Sequence, residues 1–435
     1  MHRLDRQIMR IALPSIVSNI TVPLLGLVDL AIVGHLGSTS YIGAISLGGM
    51  IFNVIYWIFG FLRMGSSGLT AQAYGRHDLV ESSLLLTRSL ILGISISLLL
   101  VVLQSPIFSL ATGVMLPSAD IRSLLATYYG ICIWGVPPSL CLFSLTGWFL
   151  GMQDSKSPMY VAILQNVTNI VASLFFVYLL GMKVDGVALG TLIAQYAGFL
   201  IALTIYMVRY RRMRGLVQWD RVLSRVEMLK FFKVNRDIFF RTCCLVAVFL
   251  FFTSAGSWQD ESILATNTLL MEFYILFSYI MDGFAFAGEA LGGKFYGAGD
   301  RKNFHGVVRR IFRWGGVMVL LFTLSYVLAG DFIIHMLTNV PEVVALSRDY
   351  VCWSWVLPAA GIAAFVWDGV FIGITASRQM FLSSAIASAV FFSSYYLLFP
   401  SLQNHALWLA FILFLLARGV SQTVMFRVSP PKFSF

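Results

Sequence analysis

One stretch near the start of the chain, residues 19–34, belongs to an apolar run of membrane-crossing length and still carries a carboxylate, Asp29. Placing a charged side chain near the centre of a bilayer costs about 2.5–3.5 kcal/mol even on insertion scales. Such a residue usually faces a cavity or a partner, which favours transport. The structural alternative is an aspartate that only hydrogen-bonds a neighbouring helix, a task that Ser or Asn performs at lower cost.

Composition identifies the class of protein. The 435 residues are 58% hydrophobic and only 11% charged, which predicts a polytopic membrane protein. The formal charge is +10, but the basic residues sit in loops between apolar spans and form no patterned basic face. We therefore expect no nucleic-acid partner. The five cysteines show no CxxC spacing, so neither disulfides nor zinc are indicated, and no cofactor is expected. No cleavable signal peptide is visible, so we expect the first helix to be retained as a membrane span.

Spans of about 20 residues cross the hydrocarbon core as helices. By that rule the sequence predicts an all-α fold of twelve transmembrane helices, bounded near 9–34, 41–70, 83–106, 122–151, 158–181, 184–208, 229–255, 262–291, 306–329, 345–374, 379–400 and 405–427. A basic stretch between the sixth and seventh spans indicates a cytoplasmic connector, because cytoplasmic loops carry an excess of Lys and Arg. We therefore predict an N-lobe at 1–208, a connector at 209–228 and a C-lobe at 229–435, with both termini cytoplasmic.

The two halves repeat each other at a constant offset of 222 residues. Residues 146–151 (TGWFLG) align with 368–373 (DGVFIG), and Tyr74-Gly75 aligns with Tyr296-Gly297. Duplicated halves with an even number of spans share one orientation, and transporters of this kind bind substrate between them. We expect two six-helix lobes related by a pseudo-twofold axis along the membrane normal.

Polar residues in the first half are the candidate partners of Asp29. Asn169 and Ser173 in the fifth span lie on one helical face, and Thr191 lies in the sixth span. The alternative is that they only hold helices together. Pro14 and Pro23 interrupt the first span and predict a hinge, with a static kink as the alternative.

The second half contains more charge within its spans. Asp282 and Glu289 are seven residues apart on one helical face, and Asp368 lies in the tenth span. We expect these carboxylates, with Arg63 of the second span, to line a substrate cavity that attracts cations. In the alternative, Arg236 and Arg241 neutralise them in a structural network. The histidines all fall in loops or at span ends, and no phosphate-binding loop is present, so we expect no enzyme.

At this point the motifs are similar to those of a known family. Residues 12–14 (ALP), 19–29 (NITVPLLGLVD), Gly34-His35 and 68–75 (GLTAQAYG) resemble the multidrug and toxic compound extrusion (MATE) family, in its DinF-like branch. Residues 235–238 (NRDI), 282–285 (DGFA) and 368–373 look like the same branch, so the resemblance covers essentially the whole chain. It implies a two-lobe antiporter that exports organic cations and amphipathic compounds in exchange for protons or sodium. Asp29 would be its coupling carboxylate, and the first helix would bend at a proline when that carboxylate is protonated.

One position departs from the family. Members often have a second aspartate four residues after the asparagine of the fifth span, where this chain has Ser173. Coupling is therefore expected to rest on Asp29, with Asn169, Ser173 and Thr191 as neutral partners and sodium as an open choice of ion.

Two other functions stay open on sequence alone. A flippase for lipids or lipid-linked saccharides of the same superfamily would favour a more cationic cavity, and a membrane enzyme or channel is the remaining class. For the antiporter we expect a monomer in the cell (inner or plasma) membrane. Its partners would be a small organic cation or amphipathic substrate, protons or sodium, and the bilayer.

Overall fold

The computed structural model describes residues 3–34, 38–222 and 224–433, and within these ranges all regular structure is helical. His35 of the sequence motif lies outside the described residues, as does the side chain of Pro23. The helices are α1 (Arg3–Gly34), α2 (Thr39–Phe59), α3 (Phe61–Gly75), α4 (Leu79–Val102), α5 (Gln104–Met115), α6 (Ala119–Cys132), α7 (Val136–Gly151), α8 (Lys156–Leu174), α9 (Val184–Arg209), α10 (Arg211–Arg214), α11 (Trp219–Val222), α12 (Arg225–Ser257), α13 (Glu261–Gly297), α14 (Arg301–Leu337), α15 (Pro341–Gly373), α16 (Ser377–Leu402) and α17 (Asn404–Val428).

Eleven helical segments of the described chain are long and apolar enough to cross a membrane. They include α2 with α3 as one span and α6 with α7 as another. The predicted all-α polytopic membrane fold is thereby confirmed. Helix α1 contains 32 residues, and at 1.5 Å per residue it is about 48 Å long, which is enough length for a twelfth span.

The chain divides into two compact units, and each includes most of one sequence half. The first, here called the N-unit, is Val17–Phe231, and the second, the C-unit, combines Met1–Ile16 with Phe232–Phe435. The boundary between Ile16 and Val17 falls inside α1, which is helical without interruption from Arg3 to Gly34. The first turns of α1 therefore pack with the second half of the sequence.

The same glycine contacts recur in both units. In the N-unit, a Cβ added to Gly147 of α7 would lie 2.2 Å from the carbonyl oxygen of Arg63 in α3. In the C-unit, a Cβ added to Gly369 of α15 would lie 2.1 Å from the carbonyl oxygen of Ala285 in α13. Both residues of the second pair follow their counterparts by 222 positions. Only glycine allows these helix backbones to approach so closely, which explains why the repeat retains it.

Helix starts repeat in the same register. The carboxylate of Asp78 accepts a hydrogen bond from the backbone N–H of Glu81 at 2.9 Å and caps α4. The carboxylate of Asp300 accepts one from the N–H of Asn303 at 3.0 Å and caps α14. A carboxylate at the N-cap position accepts a hydrogen bond from a backbone N–H group of the first turn, which has no partner within the helix. The caps and the glycine contacts together give the sequence repeat a structural basis.

Substituting the paired glycines tests this packing. We expect Gly147→Ala and Gly369→Ala each to lower the free energy of unfolding by about 1–3 kcal/mol, because the added methyl group forces two backbones apart. Gly130→Ala is the matched control, since a Cβ at Gly130 meets nothing within 4 Å. Thermal unfolding of the detergent-purified protein measures the difference. Equal melting temperatures for all three variants would show that the close approach has no energetic importance.

Candidate ion-coupling site

Helix α1 carries Asp29 into the interior of the N-unit, where only 5% of the residue is exposed. The local sequence around it is apolar, which is typical of a membrane-spanning helix. Pro14 and Pro23 lie within the continuous helix. Each lacks the N–H that would complete a backbone hydrogen bond, so α1 is weakened at two points before the carboxylate.

A directed chain of hydrogen bonds reaches the carboxylate. The side-chain amide of Asn169 donates to the hydroxyl oxygen of Thr191 at 3.1 Å, and that hydroxyl donates to Oδ2 of Asp29 at 3.4 Å. The Ser173 side chain also lies next to the carboxylate. Structure thus brings together the four residues predicted from sequence. Within the described residues, Oδ1 of Asp29 has no hydrogen-bond partner.

Helices α8 and α9 position the neutral members of this cluster. Asn169 and Ser173 are one helical turn apart on α8, and both are fully buried. Gly190 of α9 faces Ser173 so closely that an added Cβ would lie 2.2 Å from the Ser173 hydroxyl oxygen. The glycine therefore lets α8 and α9 approach, which places Thr191 within reach of both Asn169 and Asp29.

Two further contacts extend the polar surroundings of the site. The side-chain amide of Gln195, one turn after Thr191 on α9, donates to the hydroxyl of Tyr56 in α2 at 3.0 Å. The side-chain amide of Asn166 in α8 donates to the backbone carbonyl of Thr21 in α1 at 2.7 Å. Sequence reasoning missed Tyr56, because a phenol within an apolar span gives no signal of its partner.

The C-unit contains a buried ion network around Asp368 of α15. Its carboxylate accepts hydrogen bonds from the guanidinium groups of Arg241 in α12 and Arg418 in α17, the second at 2.9 Å. The amide of Gln422, one turn after Arg418, donates to the other oxygen at 2.6 Å. Sequence reasoning named Arg241 as a neutralising partner and missed Arg418 and Gln422. Their i, i+4 spacing in the last span was the available signal.

The other predicted cavity residues have different environments. Asp282 in α13 is half-buried and interacts electrostatically with Arg241, while Glu289 in the same helix is fully buried. Arg63 belongs to the N-unit and is half-buried in α3. Asp237, at the start of the C-unit, accepts hydrogen bonds from Arg236 and from the hydroxyl of Ser377. The predicted cavity residues thus differ in their burial and in the unit to which they belong.

Comparison with known proteins identifies the family. The family model MatE matches residues 14–175 and 238–396. DNA damage-inducible protein F of Escherichia coli (strain K12) is 37% identical over 424 residues, covering 97% of this chain and 92% of that protein. The probable multidrug resistance protein NorM of Thermotoga maritima is 22% identical over 360 residues, covering 79% of this chain and 74% of that protein.

A solved structure supports the same fold. A crystal structure described as MATE in the bent conformation has a TM-score of 0.88 to this chain at 18% identity, covering 98% of this chain and 95% of that one. Fold and family together define a multi-pass membrane transporter. The chain belongs to the MatE family of multidrug and toxic compound extrusion transporters, and the predicted DinF-like resemblance is confirmed.

The compensated and the half-buried carboxylates of the C-unit should respond differently to neutralisation. We expect Asp368→Asn to lower the free energy of unfolding by about 3–5 kcal/mol, because it leaves two buried guanidinium groups without their counter-ion. Asp282→Asn, at a half-buried position of α13, is the comparison and should lower the melting temperature of the purified protein by a smaller amount. Equal destabilisation by the two variants would contradict a special structural role for Asp368.

Proposed function

We propose that the chain is a secondary active antiporter that exports organic cations and amphipathic drugs in exchange for protons or sodium ions by alternating access. The observation that carries this proposal is the buried carboxylate of Asp29 with one hydroxyl donor and neutral neighbours. Family membership supports the transport class, and one relative is described as a probable multidrug resistance protein.

The surroundings of Asp29 suit an ion that binds and leaves. A buried charge is costly unless it is paired and hydrogen-bonded. Among the described residues, no basic side chain pairs with Asp29, and its Oδ1 accepts no hydrogen bond. A proton or a bound cation would remove that cost. The bound and free forms of the site therefore differ in energy, which is what an ion-driven switch requires.

The ion gradient supplies enough energy for export. One charge that crosses the membrane potential gains about 2.3 kcal/mol per 100 mV. One proton gains about 1.36 kcal/mol per unit of pH difference, which corresponds to a tenfold concentration ratio. A single coupling carboxylate is thus sufficient to drive accumulation outside the cell.

The movement that we propose is a change in α1. Ion binding at Asp29 would let α1 bend at Pro14 or Pro23 and fill part of the N-unit cavity, and ion release would straighten it. Substrate would be attracted by the C-unit carboxylates of Asp282 and Glu289, with Asp368 and Arg63 as further cavity residues. We place the protein in the inner or plasma membrane as a monomer with both termini cytoplasmic.

Neutralising Asp29 tests the central claim. In proteoliposomes, Asp29→Asn should bind substrate with nearly wild-type affinity but lose gradient-driven dye efflux down to the level of empty liposomes. The amide mimics the protonated carboxyl and cannot exchange an ion. Asp120→Asn, at an exposed position of α6, is the matched control and should transport normally. Efflux by Asp29→Asn at the wild-type rate, with unchanged ion dependence, would refute the assignment.

A substitution at Ser173 tests the choice of ion. Ser173→Asp places a second carboxylate beside Asp29, and two carboxylates in one buried site repel each other unless a cation or proton lies between them. We expect the variant to respond more strongly to an imposed sodium gradient than the wild type. Ser173→Asn is the uncharged control. Dye efflux driven separately by a pH step and by a sodium step provides the measurement, and an unchanged ratio of the two rates would contradict the prediction.

A further inference from the structure

Helix α1 makes its contacts in two different units. Residues 3–16 pack within the C-unit, and residues 17–34, with Asp29, pack within the N-unit. Because the helix is continuous between them, a displacement of one segment is transmitted to the other unless the helix bends. Pro14 lies near the boundary and Pro23 lies between the boundary and Asp29.

The segment in the C-unit is fixed by an ion pair. Oδ2 of Asp5 lies 2.6 Å from Nη1 of Arg310 in α14, and its Oδ1 accepts a hydrogen bond from the indole N–H of Trp314 at 3.4 Å. The two charged side chains are only 16% and 20% exposed. Arg310 and Trp314 are one turn apart on α14, so together they hold both oxygens of one carboxylate.

Close packing reinforces this attachment. A Cβ added to Gly283 of α13 would lie 2.3 Å from Cγ1 of Ile16 and 3.0 Å from the carbonyl oxygen of Ala12. A Cβ added to Gly306 of α14 would lie 3.0 Å from Cδ1 of Leu4. The first turns of α1 therefore lie directly against two helices of the C-unit.

The segment in the N-unit has its own attachments. Asn166 donates to the carbonyl of Thr21, two residues before Pro23, and Thr191 donates to Asp29. The carbonyl of Thr21 accepts a bond from α8 at a point where the neighbouring proline already weakens the helix. Helix α1 is thus attached to the C-unit by residues up to Ile16 and to the N-unit from Thr21 onward. Pro14 lies just before this interval and Pro23 just after it.

We propose that Asp5 and Arg310 are positioning residues for coupling, which hold the start of α1 on the C-unit so that a change at Asp29 is transmitted to that unit. The inference rests on the proposed function, because it assigns the pair a role in ion-driven transport. Neither residue contacts Asp29. They determine whether a movement of α1 at Asp29 reaches the C-unit. Other residues bind the substrate and the ion.

A charge-swap cycle tests the pair. Asp5→Arg and Arg310→Asp each place like charges together, and we expect gradient-driven efflux to fall by about fivefold or more, a usual size for coupling between two sites. Substrate binding should stay within about twofold of the wild type, and the ion should leak through the protein without substrate. The double variant Asp5→Arg/Arg310→Asp restores opposite charges and should recover most of the efflux.

A second pair of variants keeps the test decisive if the swaps fold poorly. Gly283→Ala should push α1 away from α13 and reduce efflux with little effect on substrate binding. Gly316→Ala in α14, where an added Cβ meets nothing within 4 Å, is the matched control. The inference would be overturned if Asp5→Arg, Arg310→Asp and Gly283→Ala all transport like the wild type. It would also be overturned if these variants lose efflux, substrate binding and melting temperature to the same extent and the double variant recovers none of them. If the wild type itself shows no gradient-driven efflux, the proposed function fails instead.

Discussion

A polar group within the hydrocarbon core has to find its partner inside the protein, because lipid offers none. The two units meet this constraint differently. Around Asp29, the N-unit provides neutral donors arranged in one chain from Asn169 through Thr191. Around Asp368, the C-unit provides two guanidinium groups and an amide. Thus the carboxylate of Asp29 is surrounded by neutral groups, whereas the carboxylate of Asp368 is paired with two basic side chains.

The repeat separates scaffold from chemistry. Glycines 147 and 369 make the same close backbone contact in their two units, and Asp78 and Asp300 cap equivalent helices. The register that aligns these positions pairs Asp368 with Thr146 and Asp29 with Phe251. Backbone approach and helix capping have therefore been retained in both halves, whereas the buried charges have not. Under the proposed function, a duplicated scaffold with different polar contents would let the N-unit sense the ion while the C-unit performs a different task.

The helices and the residues that lie around Asp29 could be predicted from the sequence because both depend on local patterns. Apolar runs of membrane length predict spans, and a carboxylate in such a run identifies Asp29 without any knowledge of its neighbours. Asn169 and Ser173 followed from their helical spacing, and Thr191 followed as a polar residue of the next span. Tyr56, Arg418 and Trp314 were missed, because their partners depend on which helices pack together. The attachment of residues 3–16 to the second half was also missed, since it arises from tertiary packing and the sequence repeat does not encode it.

The contrast between the two carboxylates supports the proposal that Asp29 is the ion-coupling residue. Asp368 is bonded on both oxygens by side chains from α12 and α17, so neutralising it would leave two buried cations uncompensated. Asp29 is bonded on one oxygen by a hydroxyl, and neutralising it removes a buried charge without exposing another. Of these two carboxylates, Asp29 is the one at which uptake of an ion would lower an existing electrostatic cost. Asp29 also lies on α1, a helix whose residues are divided between the two units, so under the proposed function its change of charge acts on an element that can couple them.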